Sequence, residues 1–300
     1  MSNSETIDRI IGIPAGIASG VTKLIVGHPL DTVKVRMQTE GGFGRFKGPL
    51  DCLMSTVRRE GFMALYRGAT PPLIGWTIMD SVTLTTLTNM RILLQDMHPE
   101  RPLNTGDQCI AGLVAGLTVS FVATPIELLK AKLQVQYNVK GGAEGRLYTG
   151  PVDLARKLVR NHGVGVLYQG LVPCLMFRSF FWALWGSYDV YSQWLKKRRY
   201  SDSMTAFLAG GMSANTFWTI SYPCDVIKNR IMAQKDPGAG SKAWQYPNVS
   251  SCAKHIFKTE GIKGFYRGFA PCFLRSFPMN GAAILVFETV SSTGKKLFKN

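Results

Sequence analysis

Three stretches of the sequence place an acid and a base three residues apart, shortly after a proline. They read HPLDTVKVRMQ (28–38), TPIELLKAKLQ (124–134) and YPCDVIKNRIM (222–232). Side chains three residues apart lie on nearly the same face of a helix, so each stretch presents a carboxylate beside a basic group. The residues before the first stretch are small and apolar. Because an unpaired charge within a membrane is costly, the pattern predicts ion pairing between helices.

The rest of the sequence offers no alternative chemistry. It contains no nucleophile triad, no Gly-rich nucleotide loop and no His/Cys cluster at metal-ligand spacing. Its six cysteines include no CxxC pair, as expected for thiols in a reducing compartment. We therefore expect a protein that is not an enzyme and that holds neither a metal nor a cofactor.

The proline stretches belong to a longer internal repeat. A second phrase recurs as EGFMALYRG (60–68), HGVGVLYQG (162–170) and EGIKGFYRG (260–268). An aromatic-x-Gly marker recurs at 46–48 and 148–150, and at 246–248 it has asparagine for glycine. Three ordered markers in three copies indicate a triplicated unit of about 100 residues. The predicted repeats are 1–100, 101–200 and 201–300, packed as one structural domain.

Each repeat predicts the same elements. A long apolar helix runs into the proline stretch, a polar loop and a short amphipathic helix follow, and a second long helix begins after the second phrase. Glycines at four-residue spacing let helices approach closely in lipid; they are Gly12, Gly16 and Gly20 in the first repeat and Gly112 and Gly116 in the second. Two long helices in each repeat predict an all-α membrane protein with six spans and both termini on one side.

Composition supports this reading. Hydrophobic residues make up 46% of the chain and charged residues 18%, yet no 18-residue window is wholly apolar. Polar side chains in membrane helices are typical of helices that line a wet cavity. The net charge of +16 is spread between apolar segments, so we attribute it to anionic lipid or an anionic substrate and exclude nucleic acid as a partner.

The triplicate Pro-x-Asp/Glu-x-x-Lys motif and the Glu-Gly-x4-aromatic-Arg-Gly motif resemble those of the mitochondrial carrier family over essentially the whole chain. The resemblance implies a six-helix, pseudo-threefold barrel in the mitochondrial inner membrane, with its termini toward the intermembrane space. It also implies a central substrate site that opens alternately to each side, and a functional monomer. VGHPLDTVKVRMQT and RSFPMNGAAILVFE look most like carriers of carnitine esters and basic amino acids.

The family arrangement gives the charges a role as a matrix gate. Kinks at Pro29, Pro125 and Pro223 bring the helix ends toward the axis, and threefold symmetry lets each acid meet the base of another repeat. The expected pairs are Asp31–Lys130, Glu127–Lys228 and Asp225–Lys34. Gln38 and Gln134 are expected to brace such pairs, whereas the third repeat has Met232 at that position.

The cytoplasmic gate is less complete. At the family's aromatic-acid-x-x-base positions the chain retains Arg91, Asp189 and Glu288, so one pair, Glu288–Arg91, is expected. A weak outer gate favours an outward-open resting state. The resemblance also implies bound cardiolipin at helix N-termini, which are natural phosphate sites; the residues expected there are Tyr66, Arg67, Gly68, Gly150, Gly170, Arg267 and Gly268.

The family's substrate contacts lie nine residues after the aromatic of the second phrase, which gives Gly75, Phe177 and Arg275. A mid-helix arginine suits a carboxylate, and Arg178 is a further candidate because helix four lacks one residue of the usual spacing and its kink proline. Trp182 could stack on a cation or an apolar tail. Asp80 needs a basic partner, for which Lys23 is available, or a cationic substrate group.

These features favour a solute carrier that moves a small carboxylate with an amine or ammonium group, such as an amino acid, carnitine or acylcarnitine, by alternating access. Antiport is the expected mode, while uniport and proton symport stay open. A carrier of another anion, such as a keto acid, dicarboxylate or nucleotide, remains open. So does a carrier-fold adaptor that does not transport, which the incomplete outer gate and the missing prolines of helices two and four would suit.

Overall fold

The computed structural model describes residues 3–39, 46–135, 148–238 and 244–275, together with the isolated positions 279, 282, 286, 289, 290 and 293. Every regular element within these residues is helical. In chain order the α-helices are α1 (Asn3–Thr39), α2 (Pro49–Glu60), α3 (Thr70–Met97), α4 (Thr105–Gln134), α5 (Pro151–His162), α6 (Leu171–Ser179), α7 (Phe181–Lys197), α8 (Asp202–Ala233) and α9 (Val249–Gly264), and short 3-10 helices lie at Phe62–Tyr66 and Val164–Tyr168. The predicted all-α class is confirmed.

The three repeats share one plan. The long helices α1, α4 and α8 each run through their proline without interruption, and each is followed by a short helix: α2, α5 or α9. The second long helix is α3 in the first repeat and α6–α7 in the second. In the third repeat it begins at 269–275, and most of its predicted length lies outside the described residues.

Two helical segments of the described residues, Thr105–Gln134 and Val164–Lys197, are long and apolar enough to cross a membrane. The other long helices, α1, α3 and α8, carry more polar residues. They nevertheless exceed the ~20 residues that a bilayer span needs. Polar faces on helices of this length are expected where they border a wet interior.

The short helices α2, α5 and α9 begin in similar ways in the three repeats. Gly48 and Gly150 are extended residues before α2 and α5, and each helix opens with a proline, where no amide hydrogen is needed. At the equivalent place before α9, the Asn248 side chain accepts a hydrogen bond of 2.8 Å from the Ser251 amide. Asparagine thus replaces the glycine of the other repeats because it caps the helix directly.

The two glycines expected in the second repeat, Gly112 and Gly116, lie at a close helix contact. A Cβ added at Gly112 or Gly116 would overlap backbone oxygens of Phe181 and Arg178 respectively, so α4 lies directly against α6–α7. Gly20 differs, since an added Cβ there would have open space, and close packing at this position is not observed. The side chains at positions 12 and 16 lie outside the described set.

The second long helix of the second repeat is divided into two. α6 ends at Ser179 and α7 begins at Phe181, with Phe180 between them at φ −68° and ψ 1°. The break falls where the sequence lacks one residue of the family spacing and has no kink proline. It positions Arg178 at the last turn of α6, beside α4.

Candidate functional site

The C-terminal halves of α1, α4 and α8 bring together the acids and bases of the three proline stretches. The contacts are Lys130 Nζ to Asp31 Oδ2 at 2.8 Å, Lys228 Nζ to Glu127 Oε2 at 2.8 Å, and Lys34 Nζ to Asp225 Oδ2 at 2.7 Å. Each contact joins two repeats, and together they join all three. The pairing expected from the sequence is present, and we call these six residues the charged network.

One of the two predicted glutamine braces contacts the network. Gln38 Nε2 donates to Asp225 Oδ2 at 3.0 Å, and Gln38 Oε1 accepts from Asn229 at 2.7 Å. Gln134 instead donates to the Thr32 hydroxyl at 3.2 Å. Within the described residues this bond to Thr32 takes the Gln134 amide to a neighbour of Asp31 rather than to a network pair, so its bracing role stays a prediction.

The second cation on Asp31 is Arg275, one of the two arginines predicted to bind substrate. Its Nη1 contacts Asp31 Oδ1, while Lys130 occupies the other oxygen. Arg178 makes the equivalent contact in the next repeat, where its Nη2 meets Glu127 Oε1. Asp31 and Glu127 each bridge a lysine and an arginine. The two arginines extend the charged network toward α6 and toward the helical segment 269–275.

Among the described residues, no arginine contacts the third acid, Asp225. Asp225 Oδ1 lies 3.1 Å from Lys228 Nζ, one turn further along α8. Gly75, the substrate-contact position expected in the first repeat, is buried against the Ile126 side chain. Gly75 therefore serves close packing of α3 on α4. Within the described residues, five cations face three carboxylates in the extended network.

Aromatic rings lie over all three network lysines, and the most distant contact places Lys130 Nζ 5.5 Å from the ring centre of Trp76. Lys34 Nζ lies 4.2 Å from the ring centre of Trp218, and Lys228 Nζ lies 4.3 Å from that of Phe177. Phe177 packs in turn on Phe217 and Trp218, with ring centres 5.3 and 5.6 Å apart. A cation over an aromatic face gains ~2 kcal/mol when desolvated, so these rings favour the lysines in the paired position.

Two predicted cavity residues are open to solvent or lipid. Asp80 on α3 is exposed, and Lys23 and Arg178 are the cations that interact electrostatically with it. Lys23 is the basic partner that the sequence offers as the alternative to a cationic substrate group. Trp182 is 44% exposed, while its neighbour Phe181 packs on Phe217. A substrate role for either residue stays a prediction.

At the opposite end of the helices the retained charges bind neutral groups. Arg91 Nε donates to Gln108 Oε1 at 2.8 Å, and its guanidinium lies over the Trp185 ring. Asp189 Oδ2 accepts from the hydroxyl of Thr105 and from Gln193. Glu288, the expected partner of Arg91, lies outside the described residues.

The residues expected to hold cardiolipin are engaged within the protein. Gly68 and Gly268 adopt positive φ angles of 74° and 83°, which glycine tolerates without strain, and they approach the backbone oxygens of Lys130 and Lys34. Gly170 approaches the Met232 side chain instead.

The tyrosine and arginines of the same phrase also point inward. Tyr66 donates to the carbonyl of Ile25, and Arg67 and Arg267 form ion pairs with Glu60 and Glu260. Gly150 is the extended residue before α5. Lipid binding at these ends stays a prediction.

A second tier of buried bases was missed by the sequence reading. Arg36 contacts Glu60 and donates to the Gln134 carbonyl at 3.1 Å. In the third repeat Arg230 contacts Glu260 and donates to the Gln38 carbonyl at 2.6 Å. The signal that could have revealed them is a basic residue seven positions after each proline, matched with the glutamate that opens the second phrase.

Comparison with known proteins extends these observations. The family model described as "Mitochondrial carrier protein" matches residues 10–98, 101–199 and 201–297. Mitochondrial substrate carrier family protein L of Dictyostelium discoideum is 40% identical over 295 residues, which is 97% of this chain and 98% of that protein.

Two further relatives have names that mention a substrate. The human mitochondrial carnitine/acylcarnitine carrier protein is 35% identical over 298 residues, with 95% of this chain and 94% of that protein covered. The mitochondrial basic amino acids transporter of Bos taurus is 32% identical over 282 residues, covering 93% and 90%.

Proposed function

Because the chain belongs to the mitochondrial carrier protein family, we propose that it moves a small carboxylate bearing an amine or ammonium group across the mitochondrial inner membrane. The observation that carries this proposal is the charge balance of the extended network, in which five cations meet three carboxylates. A buried excess of positive charge is costly unless an anion compensates it. A substrate carboxylate is such an anion.

The two arginines give the carboxylate a place to bind and a way to act. A carboxylate suits the forked donors of Arg275 or Arg178, which already hold the same group on Asp31 and Glu127. A substrate that takes over one arginine leaves the network acid with a lysine alone, which weakens the closed matrix side. Substrate binding thereby favours the opening of the network, as alternating access requires.

Asp80 supports the second half of the substrate. An exposed acid on a membrane helix suits an ammonium group, which would take the place of Lys23 beside Asp80 and lie near the carboxylate site at Arg178. Carboxylate and ammonium together describe carnitine, its esters and amino acids. The names of the human and bovine relatives point to the same compounds.

The test is a ligand screen followed by transport. Purified full-length protein is heated with carnitine, acylcarnitines, basic and neutral amino acids, keto acids, dicarboxylates and nucleotides, and compounds that raise Tm are then assayed for exchange in liposomes containing cardiolipin. Zwitterionic carboxylates are expected to raise Tm and to exchange. If only dicarboxylates or keto acids do so, the carrier of another anion is the correct function. If no compound exchanges in liposomes that contain correctly folded protein, the carrier-fold adaptor is the correct function.

Arg275→Lys and Arg178→Lys test the site itself, because lysine retains the positive charge but lacks the two parallel N–H donors with which arginine binds a carboxylate. Both variants are expected to lower the rate of exchange at least tenfold, the effect of losing ~1.4 kcal/mol. Lys157→Arg, in the exposed ion pair with Asp153 on α5, is the matched control and should exchange normally. Normal exchange by both arginine variants would refute the binding role.

A further inference from the structure

Four consecutive basic residues lie at the end of α7. Lys196 and Lys197 belong to the last turn of the helix, and Arg198 and Arg199 follow it directly. All four side chains are exposed. Within the part of the chain that the structure describes, none of them forms an ion pair. We call these four residues the basic row.

Arg199 has a backbone conformation that favours glycine. Its φ of 60° is the one positive φ of a non-glycine residue among those described, and the Cβ of an L-residue crowds the following carbonyl oxygen in this region. The Arg199 amide donates to the Lys196 carbonyl at 3.0 Å, in a helix-ending turn where glycine is usual. Because arginine strains the backbone here, we expect its charge to have a use at this surface.

The equivalent end of the first repeat carries no such row. Asp96 and Glu100 are exposed at and after the end of α3, and the nearby Arg101 is paired with Asp107 at 2.6 Å. Positive charge near a helix C-terminus interacts favourably with the helix dipole, but α3 ends without it and the effect fades beyond the last turn. The fold therefore does not require the basic row.

One face of α7 changes from apolar to aromatic to basic as the helix approaches its end. Val190, Trp194 and Arg198 are spaced by four residues, so they share this face, and all three are exposed. The helix belongs to the segment Val164–Lys197, which is long and apolar enough to cross a membrane. In a chain that spans a membrane, an exposed face of this kind meets lipid.

The order of side chains on this face matches a membrane boundary. Acyl chains suit the valine, tryptophan favours the interface with water, and a long basic side chain reaches the headgroups. The Arg198 guanidinium carbon lies 4.0 Å from the centre of the Trp194 ring, so the charge is held beside the indole. Tyr200, which is also exposed, places a second interfacial aromatic directly after the row.

From this geometry we propose that the basic row binds the phosphates of anionic lipid headgroups, and that it anchors the end of α7 in the membrane surface opposite the charged network. Arginine binds a phosphate through two parallel N–H donors, and lysine adds a point charge. Trp194 and Tyr200 set the depth at which these donors lie. The anchor is distinct from the expected cardiolipin positions, because Gly170 lies at the other end of this long helix.

Two other anionic partners fit the surface less well. An anionic substrate approaches through the interior of the helix bundle, whereas Arg198 lies on the outward face with Trp194. An acidic protein segment would suit the charges of the row but would not account for the exposed valine and tryptophan that precede them. Lipid accounts for both the charges and their order.

Local enrichment of anionic lipid beside α7 provides the test. Val190→Cys in a cysteine-free background of the full chain carries a fluorophore, and the protein is reconstituted in nanodiscs of phosphatidylcholine and phosphatidylglycerol. Either lipid is supplied with brominated acyl chains, which quench only nearby fluorophores. Phosphatidylglycerol is expected to be enriched about fivefold beside position 190, the factor that one basic residue contributes near an anionic surface.

A second probe position and two sets of variants serve as controls. Ile92 is exposed near the acidic end of α3, so a fluorophore on Ile92→Cys should report little enrichment. Replacing all four residues of the basic row with glutamine should abolish the enrichment at position 190. Arg58→Gln with Arg59→Gln, which removes two exposed charges from α2, should leave that enrichment unchanged.

Arg199 separates lipid binding from general damage. Arg199→Gly removes one charge and suits the positive φ, so Tm in phosphatidylcholine alone should stay equal or rise while the enrichment falls. Arg199→Lys keeps both the charge and the strained conformation, so it should keep most of the enrichment. A change that merely damaged the fold would lower Tm as well.

The anchor would be overturned by a wild type without enrichment at position 190, or by enrichment that persists after the basic row is replaced. If the wild type shows no enrichment but binds poly-glutamate in nanodiscs of phosphatidylcholine, the occupant is an acidic protein instead. None of these readouts depends on transport, so they test the anchor whether or not the proposed function is correct.

Discussion

Replacing Lys34 with Met and Asp225 with Asn, singly and together, measures how strongly one pair of the charged network stabilises the folded protein. The two side chains are 7% and 2% exposed and 2.7 Å apart. Breaking a buried ion pair by removing one partner usually costs about 3–5 kcal/mol, because the other charge is left uncompensated. Here Asp225 keeps other donors, so the full penalty does not apply.

The remaining partners set the magnitude. Without Lys34, Asp225 still accepts from Lys228 at 3.1 Å, Gln38 at 3.0 Å and Asn229 at 3.1 Å. The loss should therefore approach that of one charge-assisted hydrogen bond, about 1.5–3 kcal/mol. At roughly 2–4 °C per kcal/mol, Lys34→Met is expected to lower Tm by about 3–12 °C. The interaction term of the double-mutant cycle should have a similar size.

Thermal unfolding of the purified variants in detergent provides the assay. Lys157→Met and Asp153→Asn form the matched control cycle, because that pair is an exposed i,i+4 contact and such pairs are screened by water and salt. Its coupling should be close to zero. Additive shifts for Lys34 and Asp225, with no more coupling than in the control, would refute the claim that this pair closes the network.

Three further outcomes are expected. Gly116→Ala should lower the free energy of unfolding by about 1–3 kcal/mol through overpacking, and so lower Tm, because a Cβ there overlaps the Arg178 carbonyl. Gly210→Ala, where an added Cβ has open space, should leave Tm equal or higher, and equal effects of the two changes would contradict the close contact of α4 with α6. A cysteine at position 80 in a cysteine-free background should react with a membrane-impermeant thiol reagent added from the intermembrane-space side, and preferential labelling from the matrix side would contradict an outward-open resting state. Thr88→Asp with Ser192→Lys adds an acid and a base at the outer positions, so it should slow that labelling, and an unchanged rate would show that the outer charges do not form a gate.

The sequence was sufficient for the features that depend on spacing along one helix. The three copies of the proline stretch predict three long helices with an acid and a base on one face, and threefold symmetry then assigns the partners. Lys130, Lys228 and Lys34 meet the expected acids. The repeat pattern also predicts where α2, α5 and α9 begin, since their caps recur.

The sequence was insufficient where contacts depend on how helices rotate and approach one another. Arg275 was assigned to the cavity from its depth in the helix, yet its long side chain reaches Asp31 on α1. Gly75 was assigned by the same count but faces Ile126. Spacing along a helix does not fix such orientations.

The sequence also did not predict where the second repeat departs from the threefold symmetry. The His162–Asp236 contact joins residues 74 positions apart, and no motif relates them, because the histidine stands where the other repeats have glutamate. The division of helix four at Phe180 carries neither a proline nor a glycine at the break. In both places the second repeat departs from the pattern of the others.

The central claim is that a substrate carboxylate competes with Asp31 and Glu127 for the two arginines. The most direct measurement uses a labelled zwitterionic carboxylate that raises Tm and follows its exchange in proteoliposomes. An excess of one of two unlabelled inhibitors is added: the same compound, or its amide, which keeps the ammonium group and lacks the carboxylate. Strong inhibition by the carboxylate, with at least tenfold weaker inhibition by the amide, is predicted from the loss of a bidentate arginine contact. Equal inhibition by the two compounds would contradict the claim.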